Sequence, residues 1–353
     1  MAGKVRTWFH QKDSTLAAKE YHGLVNLGVT DYLNSVLQVL FMTEDFRERV
    51  KRNNVGEEHI DKELRDLFID LEEYVTYTYK ITTKLKITNV HEQRDAAEHY
   101  EKILRLTSPE ASQIFHGELL STNICKKCNT KTESPAGFWQ LPLPLVDNNN
   151  EYSVEKGIED FFRSSEISGD DQMYCETCDE KCDAVLDCGV KHHPEVLVLL
   201  LKRFEFDYKY MTYVKVKQPV NVPNTLQISG NQSYELYAVV EHSGELRYGH
   251  YISTIRSQDD GKWYQFNDSQ VAPHKAPPAL ERSRSAYLLF YQKLKETPLN
   301  GTGDINETTE EDQDPDPNKP ENEETPGSSA RKRDGPCDEA EQEGEETKTG
   351  ARF

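Results

Sequence analysis

Four cysteines stand in two pairs, Cys125-Lys-Lys-Cys128 and Cys175-Glu-Thr-Cys178. A C-x₂-C turn aims two thiolates at one ion. Two such turns supply the four sulfurs of a tetrahedral zinc site with no open position, which makes a structural site rather than a catalytic one. The pairs lie 47 residues apart, so an inserted subdomain has to span the gap, and Cys182 and Cys188 are further thiols able to substitute as ligands. A second group is Gly249-His250-Tyr251, followed by Trp263-Tyr264-Gln265-Phe266-Asn267-Asp268-Ser269. A histidine oriented by an amide or carboxylate is the base-and-orienter half of a nucleophilic site. Between the two lies Asp260-Gly261, a hairpin signal. A loop centred on Gln258 and Asp259 sets His250 opposite Asn267, and one centred on Asp260-Gly261 displaces the pair by four residues. Four is even, so both registers leave the two side chains on one face of the sheet.

The third group is the segment from Gly23 to Gln38, which reads Gly23-Leu24-Val25-Asn26-Leu27-Gly28-Val29-Thr30-Asp31-Tyr32-Leu33-Asn34-Ser35-Val36-Leu37-Gln38. It resembles the cysteine box of the ubiquitin-specific proteases, G-L-x-N-x-G-x-T-C-Y-x-N-S-x-L-Q, with Asp31 where that pattern has its cysteine. Gln93-Arg94-Asp95-Ala96-Ala97-Glu98 resembles the family's Q-x-D-A-x-E box, Leu200-Leu201-Lys202-Arg203-Phe204 its L-K-R-F strand, and Gly249-His250-Tyr251 its histidine box. The boxes run in order over roughly Tyr21 to Lys293. The resemblance implies an α+β, papain-like cysteine-protease fold with a helical thumb, a palm of antiparallel sheet and zinc-ribbon fingers over about 120–190. It implies a protein that holds ubiquitin and threads the ubiquitin tail between thumb and palm. His250 would be the general base, oriented by Asn267 or the neighbouring Asp268, of which Asn267, directly after the phenylalanine, holds the place that takes this role in the family, and Asn26 would supply an oxyanion-hole donor. Asp95 and Glu98 would face the basic ubiquitin tail, and Cys125, Cys128, Cys175 and Cys178 would hold structural zinc.

Asp31 changes that chemistry. A helix N-terminus beside an imidazolium generates a thiolate from a cysteine, and the same surroundings welcome a carboxylate. A carboxylate is nevertheless a poor nucleophile toward an amide, and loss of the nucleophile from such a triad costs on the order of 10⁶ in turnover. The chain is therefore expected to recognise ubiquitin or ubiquitinated proteins without cleaving them. The alternatives are an active cysteine-type deubiquitinase in which Asp31 is an engineered change or an error, and an interaction scaffold that does not bind ubiquitin.

Elements have to position these groups. Leu33 to Phe41 reads as a buried helix that starts just after Thr30-Asp31. Leu64, Leu67, Phe68, Leu71 and Val75 recur at helical spacing on a charged stretch, and a further helix is expected over Asp95 to Leu104. Beyond Cys125 the pattern turns to strands: Phe138 to Leu143, cut short by proline, Val196 to Phe204, Tyr234 to Val240, His250 to Ile255, Lys262 to Phe266 and Ala286 to Tyr291. Helices first and strands later indicate an α+β domain around an antiparallel sheet.

Composition bounds the rest. Of 353 residues, 62 are acidic and 42 basic, a net charge of −20, and the stretch from Glu296 to Phe353 contributes 18 acidic against 6 basic residues. That acidic balance excludes nucleic acid as the main partner, because phosphate contacts need clustered Lys and Arg. The expected organisation is a lead over 1–20, the protease-like domain over 21–293, and an acidic, disordered tail over 294–353. Met1 to Asp13 has no apolar run, and no stretch reaches the length of a membrane span. The expected compartment is the cytoplasm, the nucleus or both, where seven cysteines are better read as ligands or free thiols than as disulfides.

Overall fold

Leu33, Val36, Leu37 and Leu40 recur at the helical period, and the helix they define, α1 (Asp31–Met42), has all 12 of its residues buried. The computed structural model that contains it describes residues 20–53, 56–145, 152–228, 230, 232–246, 248–274 and 281–295. The expected lead before Glu20 and the tail from Glu296 onward lie outside the described residues. The chain divides into two compact units. One comprises Met1–Ser112, Phe206–Lys215 and Ala238–Ala279, and the other Gln113–Glu205, Val216–Tyr237 and Leu280–Phe353.

The first unit holds the helices α2 (Glu44–Arg52), α3 (Asp61–Glu73), α4 (Tyr79–Lys84), α5 (Ala96–Leu106) and α6 (Pro109–Ser112) besides α1. On α3 the buried residues include Leu64, Leu67, Phe68 and Leu71, as the spacing predicts. Val75 does not continue that stripe, because Tyr74 leaves the helix with φ −161° and the chain runs on extended. α5 begins one residue after Asp95, which caps it. The short polar helices α2, α4 and α6 have too few periodic apolar positions to be read from sequence alone.

The same unit closes on antiparallel strands. Tyr248–Arg256 pairs with the Ala238–Glu245 part of its predecessor strand and with Trp263–Asn267. Ser253 faces Phe266 and Arg256 faces Trp263, so the loop is centred between Asp259 and Asp260. Neither expected loop centre is correct. The displacement of His250 from the residue opposite Asn267 is two rather than zero or four, still even, and the shared face survives. α1 packs against Tyr248–Arg256 and against α5, which sets its first residue beside the histidine strand.

In the second unit Gly117–Cys125 pairs with Lys131–Phe138 and Ala184–His192, while Val196–Lys202 pairs antiparallel with Ala286–Lys293 and parallel with Leu141–Pro144. The strand expected from Phe138 to Leu143 is two strands. Phe138 pairs with Gly117 but Leu141 pairs with Leu199, so the chain changes sheets at Trp139-Gln140. Pro142 and Pro144 are tolerated because Leu141–Pro144 ends the sheet order. Arg203 is wholly buried and donates to the carbonyls of Ala286, Val216, Gln218 and Ser283. Burial lowers its pKa to about 10, which leaves it charged at pH 7 and able to satisfy four inward-facing carbonyls. Among the described residues no helix is long and apolar enough to cross a membrane.

Candidate functional site

The loop Gly23–Thr30 is shaped by the side chains of Asn26 and Thr30. Asn26 Oδ1 accepts from the backbone N–H of Gly28 at 3.0 Å and of Thr30 at 2.9 Å, and Thr30 Oγ1 accepts from the N–H of Leu27 at 3.0 Å. Gly28 must be glycine, since a Cβ there would lie 2.5 Å from His91 Nδ1 and 2.8 Å from the Val90 carbonyl. The loop delivers Asp31 to the first position of α1, where the helix dipole favours its charge. The residue is 1 % exposed.

His250 meets Asp31 across the sheet. Its Nδ1 lies 3.2 Å from Asp31 Oδ2 and its Nε2 lies 2.8 Å from Asn267 Oδ1. The same Asp31 oxygen accepts the backbone N–H of Tyr251 at 2.7 Å. Hydrogen bonding to Asp31, against desolvation and helped by Asn267 and by the charges of Asp31 and Asp268, raises the pKa of His250 to about 9. The imidazole is therefore an imidazolium at neutral pH, donating from both nitrogens. Gly249 makes room for this strand, because a Cβ on it would fall 1.9 Å from His242 Nε2.

Of the two expected orienters, Asn267 is the one bonded to His250. Asp268, at φ +49°, turns the other way. Its Oδ1 accepts from Asn34 Nδ2 at 2.8 Å and its Oδ2 from Asn26 Nδ2 at 3.0 Å. Asp268 thus fastens the loop and α1 together and acts on His250 only through its charge. One N–H of Asn26, expected as an oxyanion donor, is committed to that bond. Asp95 caps α5 by accepting from the N–H groups of Ala97 and Glu98 at 2.7 and 3.0 Å. Glu98 is exposed in the first turn. Gln93 Nε2 donates to the Gly249 carbonyl at 3.2 Å, which ties the segment before α5 to the histidine strand. Asn34, Gln93 and the Tyr251 N–H were not anticipated as site residues. Asn34 and Gln93 stand within the boxes quoted above, whereas a backbone N–H has no signature in sequence.

All four cysteines of the two pairs converge in the second unit. Cys125, Cys128, Cys175 and Cys178 place their sulfurs within 4.8 Å of one another, with Cys128 and Cys175 3.6 Å apart and Cys125 and Cys178 4.0 Å apart. A tetrahedron with metal–sulfur bonds of about 2.3 Å has sulfur–sulfur edges of about 3.8 Å, so the set fits one ion. Each pair forms the same knuckle. Asn129 N–H donates to the Cys125 carbonyl and Asp179 N–H to the Cys175 carbonyl, both at 2.8 Å, and Asn129 and Asp179 have φ of +58° and +56°. Those residue types tolerate that conformation best after glycine. The gap between the pairs is bridged by register: Cys125 faces Ala184, and Lys126 N–H donates to the Asp183 carbonyl. Cys182 and Cys188 are buried outside the set of four.

Residues 22–291 match the family model described as ubiquitin carboxyl-terminal hydrolase. The chain is 26 % identical to ubiquitin carboxyl-terminal hydrolase 47 of Drosophila melanogaster, over 80 % of this chain and 25 % of that protein. It is 25 % identical to the human protein of the same description, over 71 % of this chain and 25 % of the relative. With ubiquitin carboxyl-terminal hydrolase 48 of Danio rerio it shares 26 % identity, over 78 % of this chain and 31 % of the relative. The chain thus spans about a quarter to a third of the length of these relatives.

Proposed function

The chain belongs to the ubiquitin carboxyl-terminal hydrolase family, whose fold is papain-like and α+β, and from that premise we propose that it recognises ubiquitin or ubiquitin conjugates and does not hydrolyse them. The observation that carries the proposal is the pairing of the Asp31 carboxylate with His250 at the head of α1. In a thiol protease that position holds a thiolate, which attacks a carbonyl while the imidazolium gives its proton to the leaving amine. Asp31 reproduces the charge of the thiolate without its nucleophilicity. His250, with its pKa raised to about 9, has no vacant nitrogen to activate water at pH 7. The pair is built like the resting ion pair of a cysteine enzyme and lacks the reacting atom.

Recognition rests on the residues around that pair. Glu98 is exposed and carries the charge that suits a basic tail, whereas the Asp95 carboxylate also caps α5. The expected measurement is no turnover of a fluorogenic ubiquitin C-terminal substrate by the unmutated chain, recovery of some turnover in Asp31→Cys, and ubiquitin binding weakened by Glu98→Arg. Cleavage by the unmutated chain that disappears in His250→Ala would refute inactivity. Binding untouched by both Glu98→Arg and Asp95→Asn, a substitution that keeps the cap, would refute this mode of recognition.

The four-cysteine cluster is read as a structural zinc site. Four thiolates fill a tetrahedron and leave no position for water or substrate, so zinc bound there would staple the two knuckles together and take no part in chemistry.

A further inference from the structure

His250 stands on a ribbon of two strands that outruns its sheet. The pairing of Tyr248–Arg256 with Trp263–Asn267 runs only from Ser253 to Arg256, whereas its pairing with the preceding strand continues to Tyr248 opposite Glu245. Among the described residues, 248–251 therefore have a strand on one side only. A two-stranded hairpin is marginally stable in water. Gly244 faces Gly249 in this ribbon, so that pair adds no side-chain contact across the strands. Something else has to hold the segment that carries His250.

Side chains from three other segments take the groups that point out of the ribbon. In an antiparallel pair, residues that exchange hydrogen bonds across the strands alternate with residues whose N–H and carbonyl face outward. Tyr251, opposite His242, donates its N–H to Asp31 Oδ2 at 2.7 Å, and the Gly249 carbonyl accepts from Gln93 Nε2 at 3.2 Å. On the opposite edge the carbonyls of His242 and Gly244 accept from Lys215 Nζ at 2.7 and 3.3 Å. His250 and Ser243 form the pair in between. Asp31 and Gln93 thus grip one edge of the ribbon and Lys215 grips the other.

Lys215 is suited to that task. It is the last residue of the strand Thr212–Lys215, which pairs with Phe204–Asp207. Edge-to-face packing of Phe206 on Tyr208 and Tyr213, with centroids 5.2 and 5.1 Å apart, stiffens this hairpin. An ammonium on carbonyl oxygens makes charge-assisted bonds, roughly twice as strong as neutral ones. Burial, and after it the charge of Lys215, lowers the pKa of His242 to about 4. His242 is therefore neutral where its ring meets Tyr251 at 4.5 Å. The groups that face His250 itself are Asp31, Asn267 and, by charge, Asp268.

We propose that Lys215 is a positioning residue for the Asp31–His250 pair, holding the His242–Gly244 edge so that the ribbon stays against Asp31. The proposal concerns the geometry of the pair and stands independently of what the chain binds. It is tested by following the His250 imidazole and the Tyr251 amide by NMR in the unmutated chain, in Lys215→Met and in Lys215→Arg. Charge and position act with opposite signs here. Loss of a cation by itself favours a nearby imidazolium and raises its titration, whereas a ribbon that drifts from Asp31 loses the contact that holds the titration up. Lys215→Met is expected to lower the His250 midpoint by about one pH unit or more, as loss of an opposite charge at close range does. It should also speed exchange of the Tyr251 amide about tenfold or more. Lys215→Arg, which keeps donors for both carbonyls, should return both readings toward the unmutated values. In the Asp31→Asn background the fall should vanish, because the contact it reports is already gone. A midpoint that stays or rises in Lys215→Met overturns the proposal, and so does a fall that persists undiminished with Asp31→Asn. Exchange that quickens equally at the buried Leu37 amide of α1 would report a general loss of stability rather than movement of the ribbon, and would overturn it too.

Discussion

Asp31 Oδ2 at 3.2 Å and Asn267 Oδ1 at 2.8 Å are acceptors on opposite nitrogens of one ring, so only the doubly protonated form of His250 satisfies both. Its pKa is raised from 6.5 to about 9. A group raised in the folded state adds stability that is complete below its unfolded value, here near pH 6.5, and is lost as pH climbs through about 9. His250 is half-exposed, so solvent screening keeps the contribution small. Asp31→Asn should bring the imidazole titration, followed by NMR, back toward the ordinary histidine value. It should also flatten the decline of the urea midpoint between pH 6.5 and 9. An imidazole still titrating near pH 9 in that variant would mean that Asp31 is not the cause.

At the scale of elements, the two cysteine knuckles show how little chain a metal site needs. Each is one turn closed by a single backbone hydrogen bond of 2.8 Å with a left-handed Asn129 or Asp179 behind it. Nothing in such a turn buries enough apolar surface to hold four thiols together once they ionise, because like charges repel and three of the four cysteines are partly exposed. Zinc would supply that cohesion. The purified protein should therefore contain one zinc per chain. Its removal by a strong chelator should abolish hydrogen-exchange protection of the Asn129 and Asp179 amides. Protection unchanged in verified metal-free protein would show that the strands, not a metal, hold the knuckles.

For the whole molecule the governing quantity is charge. The stretch from Glu296 to Phe353 carries 18 of the 62 acidic residues and almost no aliphatic ones, so it has little apolar surface to add to a core. Removing it should leave the thermal midpoint of the remaining chain unchanged within about a degree, since surface changes away from packed features are nearly neutral. A drop of many degrees would mean that this stretch packs on the domain. The remaining body keeps a moderate negative charge, which suits a basic partner at modest ionic strength.

Spacing along a single element was legible in the sequence. The apolar period defined α1 and the buried face of α3, and the even offset between His250 and Asn267 kept them on one face although the exact register did not follow from the turn residues. The boxes over roughly Tyr21 to Lys293 indicated the family, and the C-x₂-C pairs indicated a four-sulfur cluster. The resemblance pointed to Asn267 as the residue that orients His250, but the sequence did not reveal that Asp268 clasps Asn26 and Asn34, or that the Tyr251 amide shares the Asp31 oxygen. Nor did it show that Val75, Tyr77 and Tyr79 face outward. Those facts depend on where a chain turns after its elements end and on groups brought together from more than 200 positions apart. Side-chain periodicity constrains faces within an element, and only packing decides which faces meet.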